Sequence, residues 1–132
     1  MLETLSVHTN HRTELLDLTT QVQEVVKKSG VNEGLCHVFV PHTTAAVTIN
    51  ESADPAVKAD ILMVLNKIIS EKEPYRHMEG NSPAHVEASI IGPHLTVLVS
   101  QGRLVLGTWQ GVFFCEFDGP RSRRLHVKVV GG

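Results

Sequence analysis

The sequence contains no run of about 18 apolar residues, and no basic stretch leading into an apolar core follows Met1. Nothing in it marks a membrane-spanning helix or a secretory signal, and a cytoplasmic protein is expected. It has no excess of one charge either. Twelve Lys and Arg against fourteen Asp and Glu leave a formal charge of -2, so the field of the whole molecule would not gather a polyanion and nucleic-acid binding is not expected. Cysteine is rare. Cys36 and Cys115 sit far apart in the apolar runs Cys36-His37-Val38-Phe39-Val40 and Phe113-Phe114-Cys115-Glu116-Phe117, which suits buried reduced thiols better than a disulfide framework. With 42% hydrophobic and 20% charged residues, 10 Gly and 6 Pro, the composition excludes disordered, collagenous and coiled-coil classes. No repeat, low-complexity tract or linker divides the chain, so one domain over residues 1–132 is expected. A chain of this length buries roughly two-thirds of its unfolded surface, enough for a core without a structural metal. Any metal would be present for chemistry.

What is there reads as strands with helices inserted. Leu2 to His8 alternates as a half-buried strand does. From Leu15 the period changes: Leu15, Leu18, Val22, Val25 and Val26 share a helical face, Lys27 and Lys28 suit the C-terminal dipole, and Gly30 can close the helix. Leu35 to Val40 and Ala45 to Glu51 predict two strands flanking Pro41-His42-Thr43-Thr44. Asp54 as N-cap and Pro55 at the first position open a second helix, whose apolar stripe is Val57, Ile61, Val64, Leu65 and Ile68. After an irregular stretch, a short helix is expected with Ser82 as its cap, Pro83 first and His85 in its opening turn, stopped by Gly92-Pro93. Strands are expected near 95–100, 103–117 and 122–130, with Gly107 and Gly111 marking a bend in the long middle one. Strands clustered late, instead of alternating with helices, predict an α+β fold with an antiparallel-rich, sandwich-like core, two main helices and one short helix.

Eight histidines are the oddity of the composition. Neutral imidazole is the commonest metal ligand and the side chain best poised for proton transfer near neutral pH. His42 follows Pro41 at a strand end and precedes the hydroxyls of Thr43 and Thr44. His77 lies in the irregular stretch two residues before Glu79, and His85 sits where a helix dipole favours the neutral ring. His77 and His85 are eight apart, neither the pair of a zinc-binding helix nor a finger spacing, so each ring can equally be a satisfied structural histidine. Glu116 interrupts an apolar run, where a carboxylate needs a cation, a hydrogen-bond partner or a wet site. A salt bridge to Arg121, Arg123 or Arg124 and a functional role are equally open for it. Asn50 and Glu51 end a strand beside the Asp54 cap, where a local turn contact is the plainer role for Glu51. Trp109 and Gln110, between Gly107 and Gly111, either pack in the core or floor a pocket for a planar ring. Arg121, Arg123 and Arg124 either grip phosphate or form a solvated strand end.

In order, the segments His42-Thr43-Thr44-Ala45, Asn50-Glu51, Asp54-Pro55, His77 with Glu79-Gly80-Asn81, His85, Gly92-Pro93, Gly107-Thr108-Trp109-Gln110-Gly111 and Glu116 with Asp118-Gly119-Pro120-Arg121 resemble the YjbQ-like family. The likeness spans nearly the whole chain. It implies an α+β fold around a β-sandwich core, a homotrimer with sites near subunit interfaces, and a side activity of the thiamine-phosphate synthase type. That reaction joins hydroxymethylpyrimidine diphosphate to a thiazole phosphate with loss of diphosphate. Position by position, the resemblance sets His42, His77, His85 and Glu116 in the polar site, with Asn50, Glu51, Trp109 and Gln110 nearby. Family members often carry a Lys two residues after the last His of the set, where this chain has Glu87, and a further acid or His where it has Asn81-Ser82-Pro83-Ala84.

The expectation is therefore a divalent metal, with zinc first and nickel, iron or manganese also suited, held by His42, His77 and His85. His42, His85 and Glu116 would act in catalysis, and Thr43, Thr44, Asn50, Glu51, Trp109, Gln110 and Arg121 would bind a small phosphorylated heteroaromatic metabolite. A binding module retaining a metal or phosphometabolite, and a purely structural trimer, are the competing classes.

Overall fold

In the computed structural model, which describes residues 1–132, eight strands and three helices follow in the order β1 (Leu2–His8), β2 (Glu14–Asp17), α1 (Thr19–Ser29), β3 (Gly34–Phe39), β4 (Ala45–Glu51), α2 (Pro55–Ile68), α3 (Ser82–Ile91), β5 (His94–Ser100), β6 (Arg103–Leu104), β7 (Gln110–Glu116) and β8 (Ser122–Gly131). Every strand pairing is antiparallel. A five-stranded sheet runs β1-β8-β3-β5-β6 and a three-stranded sheet β2-β7-β4. The α+β fold with an antiparallel sandwich core is thus the architecture the hydrophobic pattern predicts.

Two clusters of apolar side chains hold the layers together. Val38, Val97, Leu125 and Val127 of the large sheet meet Val47, Val112 and Phe114 of the small one, and α1 adds Val22, Val25 and Val26. Behind the small sheet, Leu15, Ala46, Phe113 and Cys115 pack on Leu65 of α2 and on Ala84 and Ala88 of α3. The small sheet is therefore covered on both faces, which is why its central strand β7 reads as a nearly unbroken apolar run instead of alternating. Cys36 and Cys115 are unpaired and buried, and burial pushes their thiols up to about 11 and about 12.

Four local expectations are revised. Leu15 belongs to strand β2, not to the first helix: it pairs with Cys115 and packs behind the small sheet, whereas Leu18 packs between the sheets. A helical wheel merged two opposite faces into one. The predicted strand over 103–117 is two strands in different sheets, joined by a crossing that contains Gly107. On α2 only Leu65 is buried, while Val64 and Ile68 are 47% and 64% exposed, so two of the five stripe residues face out. Ser82 is the first residue of α3, and Asn81 holds the cap position without a side-chain cap bond. Asp54 does cap α2, its carboxylate accepting from the Ala56 N–H at 2.9 Å.

Candidate functional site

At one end of the sandwich three segments surround an open cleft of about 690 Å³. The segment after β3 contributes Pro41, His42, Thr43 and Thr44, the approach to α3 contributes His77, Glu79, Asn81 and His85, and the turn between β7 and β8 contributes Asp118, Arg121 and Arg123. Phe39, at the end of β3, is the apolar wall.

Strand parity builds the floor. Glu116 shares the inward face of β7 with Val112 and Phe114, and Arg123 shares the inward face of β8 with Leu125 and Val127, so both charged side chains enter the space between the sheets. They meet there. The Glu116 carboxylate is fully buried and accepts from Arg123 Nε at 2.8 Å, from Arg123 Nη2, from the Thr9 hydroxyl at 2.8 Å and from the Asp118 N–H at 3.0 Å. Burial alone would raise its pKa, but the Arg123 guanidinium and these donors outweigh it and hold the carboxyl below its usual range. Arg123 Nη2 also donates to the Thr44 hydroxyl at 2.8 Å. Asn81 Nδ2 donates to Asp118 Oδ2 at 2.9 Å, tying the start of α3 to the turn that Arg121 also grips through Nε to the Asp118 carbonyl at 2.8 Å.

His77 and His85 come together, their rings edge to face with centroids 5.1 Å apart. His77 Nε2 is 4.0 Å from Glu79 Oε1. His42 shares this cleft and also a smaller hollow with His85, but its Nε2 accepts from the Arg124 N–H at 2.9 Å. A ring nitrogen that accepts carries no proton, so in the neutral ring Nδ1 carries it. Burial, then Arg123 and Arg124, lower the His42 pKa, which keeps the ring neutral. No three His, Cys, Asp or Glu side chains stand together at metal-holding geometry. The expected three-imidazole shell is therefore not pre-formed, and His42 is the ring that falls outside it, because its free lone pair is already used.

The remaining candidates divide by position. Thr43, Thr44 and Arg121 line the cleft. Glu116 reaches it only through Arg123 and Thr44, so direct catalytic contact gives way to a supporting role. Asn50, Glu51, Trp109 and Gln110 lie at the other end of the small sheet, where Glu51 pairs with Gln110, while Ala45 at the cleft end pairs with Glu116. Six residue steps at about 3.3 Å separate the two ends by about 20 Å. There Asn50 Oδ1 accepts from the Glu51 N–H, Glu51 Oε2 from the Ala53 N–H and Gln110 Oε1 from the Gly107 N–H, and Trp109 is 62% exposed. One chain does not bring them to the histidines. Glu87 lines a different cavity from His85, so its place in the sequence bears on no phosphate contact in the cleft. Arg123 was the residue sequence reasoning undervalued: its alternation with Leu125 and Val127 was the signal that it points inward.

A sheet sandwich backed by helices, with a histidine- and arginine-lined cleft at one end, defines a class of small α+β proteins. The chain belongs to the family described as UPF0047 protein YjbQ-like, whose pattern matches residues 3–132. It is 47% identical to the UPF0047 protein YugU of Bacillus subtilis, over 99% of this chain and 100% of that one. It is 46% identical to a UPF0047 protein of Methanocaldococcus jannaschii, over 99% and 95%. Crystal structures of an uncharacterized YjbQ/UPF0047 protein from Clostridium acetobutylicum (TM-score 0.95, 46% identity, 97% of this chain and 99% of that one) and of a protein of unknown function from Sulfolobus solfataricus (TM-score 0.95, 36% identity, 100% and 97%) share the fold. These relatives are named by family alone, and the crystallised ones are described as uncharacterized or of unknown function. The thiamine-phosphate synthase activity expected from the resemblance is thereby corrected: none of these descriptions gives it, and they support the family alone. Within one chain Trp109 and Gln110 stand at the far end of the small sheet and offer no ring platform beside the histidines. No helix of the chain is long and apolar enough to cross a membrane.

Proposed function

We propose that the cleft binds a divalent metal ion, zinc first, through His77 and His85, and that it takes beside the ion the phosphate-bearing end of a small heteroaromatic metabolite. The observation that carries this reading is the pair of imidazoles 5.1 Å apart in a cleft that also holds Arg121. Two rings fill half of a tetrahedral shell, and Glu79 is the nearest carboxylate to extend it. The donor set of nitrogen with one oxygen fits zinc. Bound there, the ion supplies Lewis-acid neutralisation of phosphate oxygens.

The chain's own groups do the rest. Arg121 presents a planar fork to phosphate. Asn81 Oδ1 is buried with no hydrogen-bond partner, an acceptor left for a ligand N–H or a bound water. His42, neutral and anchored by Arg124, offers an Nδ1–H donor, and Phe39 offers a face for a ring. The outer face of the large sheet exposes Leu35, Phe39, Leu98 and Val130, which supports assembly with further copies as a homotrimer. Two buried free thiols support a cytoplasmic setting.

Titration calorimetry of the full chain with zinc, then with inorganic phosphate or pyrophosphate, tests the reading. His77→Ala and His85→Ala should each weaken zinc binding at least about tenfold, and Arg121→Ala should weaken the anion but not zinc. Undiminished zinc binding by the double histidine variant would refute it.

A further inference from the structure

A second polar cavity of about 260 Å³ lies apart from the histidine cleft, between Arg12 and Thr13, the end of α2 (Asn66, Ile69), Glu71, and Pro83 and Glu87 of α3. Glu87 is 3% exposed, and its Oε2 has no hydrogen-bond partner. A buried carboxylate oxygen without a hydrogen-bond partner carries a desolvation cost that a proton or a counter-ion relieves, and burial accordingly raises the Glu87 pKa against the pull of Arg12. The other cavity residues offer that counter-ion oxygen: the Glu71 carboxylate, the Asn66 amide and the Thr13 hydroxyl. Two acids against the single cation Arg12 leave the lining one negative charge in excess. Arg12 is paired with Glu71, and both side chains are more than half exposed, so the guanidinium can swing to solvent without rearranging the core.

We infer that this cavity is a binding site for a hard divalent cation of the calcium and magnesium class, with Glu87 as its buried ligand and Glu71 as the ligand at its mouth. Hard cations take oxygen donors and keep waters for the positions the protein leaves open. The cavity has room for such waters, each of which occupies about 30 Å³. It contains no imidazole or thiolate, so it selects against the softer ion proposed for the other cleft. Arg12 is then a built-in competitor, and it sets the affinity by holding Glu71 when the cation is absent.

Calcium and magnesium are titrated separately into the chelator-treated full chain, with binding read by calorimetry and stabilisation by thermal melting. Binding with a Kd on the order of 1 mM or tighter is expected, within the range of weak calcium modules. Glu87→Gln should weaken it at least about tenfold. Glu71→Gln, an exposed change that leaves folding intact, should weaken it several-fold, and Arg12→Gln should tighten it several-fold by removing the competing charge. His77→Ala and His85→Ala should leave it unchanged, which separates its fate from that of the zinc reading. The inference is overturned if neither cation binds or raises the melting temperature at millimolar concentration. It is equally overturned if Glu71→Gln and Arg12→Gln bind like the wild type, or if the histidine variants are the ones that lose calcium.

Discussion

Replacing Arg123 with Met keeps an unbranched stem of comparable reach to Nε and removes the guanidinium from between the sheets. The buried Glu116 carboxylate then loses the donors at Nε and Nη2 and keeps only Thr9 and the Asp118 N–H, while the Thr44 hydroxyl loses its own donor. Both charged partners are nearly or wholly inaccessible, at 4% and 0%, so solvent cannot take over the lost contacts. Breaking a buried pair from one side costs about 3–5 kcal/mol. With an unfolding entropy of about 2.1 cal/mol/K per residue, that corresponds to a melting temperature lower by about 10–18 °C. Calorimetric or circular-dichroism melts of the wild type, Arg123→Met, and the double variant Arg123→Met/Glu116→Leu measure it. The double variant should recover most of the loss, because an apolar pair of similar volume often matches a buried ion pair. Acid adds a second check. The folded-state pKa of Glu116 is depressed, so its stabilisation is whole above the ordinary carboxyl value of about 4.3 and is lost as pH falls through the depressed value. Arg123→Met should flatten this acid limb. A single variant that melts within about 2 °C of the wild type, or a double variant no better than the single, would refute the view that this pair locks the floor of the cleft.

Two further outcomes test the surroundings of the same pair. A Cβ on Gly119 would stand 2.3 Å from the His11 carbonyl oxygen and 2.8 Å from Glu116 Cγ, so Gly119→Ala should cost about 1–3 kcal/mol in urea unfolding; wild-type stability would show that this turn yields freely. The His42 ring should titrate by NMR below the ordinary histidine value, because burial and then Arg123 and Arg124 disfavour its charge. Its contribution to stability is accordingly whole above about 6.5 and is lost as pH falls toward the depressed value, and a midpoint at or above 6.5 contradicts the neutral, Arg124-anchored ring.

Period and punctuation determined most of the local structure. Alternation made β1 and β4 legible, and Asp54-Pro55 marked the start of α2, because capping and side-chain direction are properties of a few neighbouring residues. The same local logic failed at Leu15, where pairing with Cys115 draws four residues into a strand, and over 103–117, where the chain changes sheets. The candidate site divides along the same line. That His42, His77 and His85 were chemically apt could be read from the sequence, since it depends on residue type and on the elements beside them. Which nitrogen of His42 is free, which arginine meets Glu116, and that Trp109 and Gln110 stand about 20 Å from the cleft were decided only by packing. Such facts depend on the distance between segments far apart in the chain, and that distance exists only once two sheets have closed on a common core.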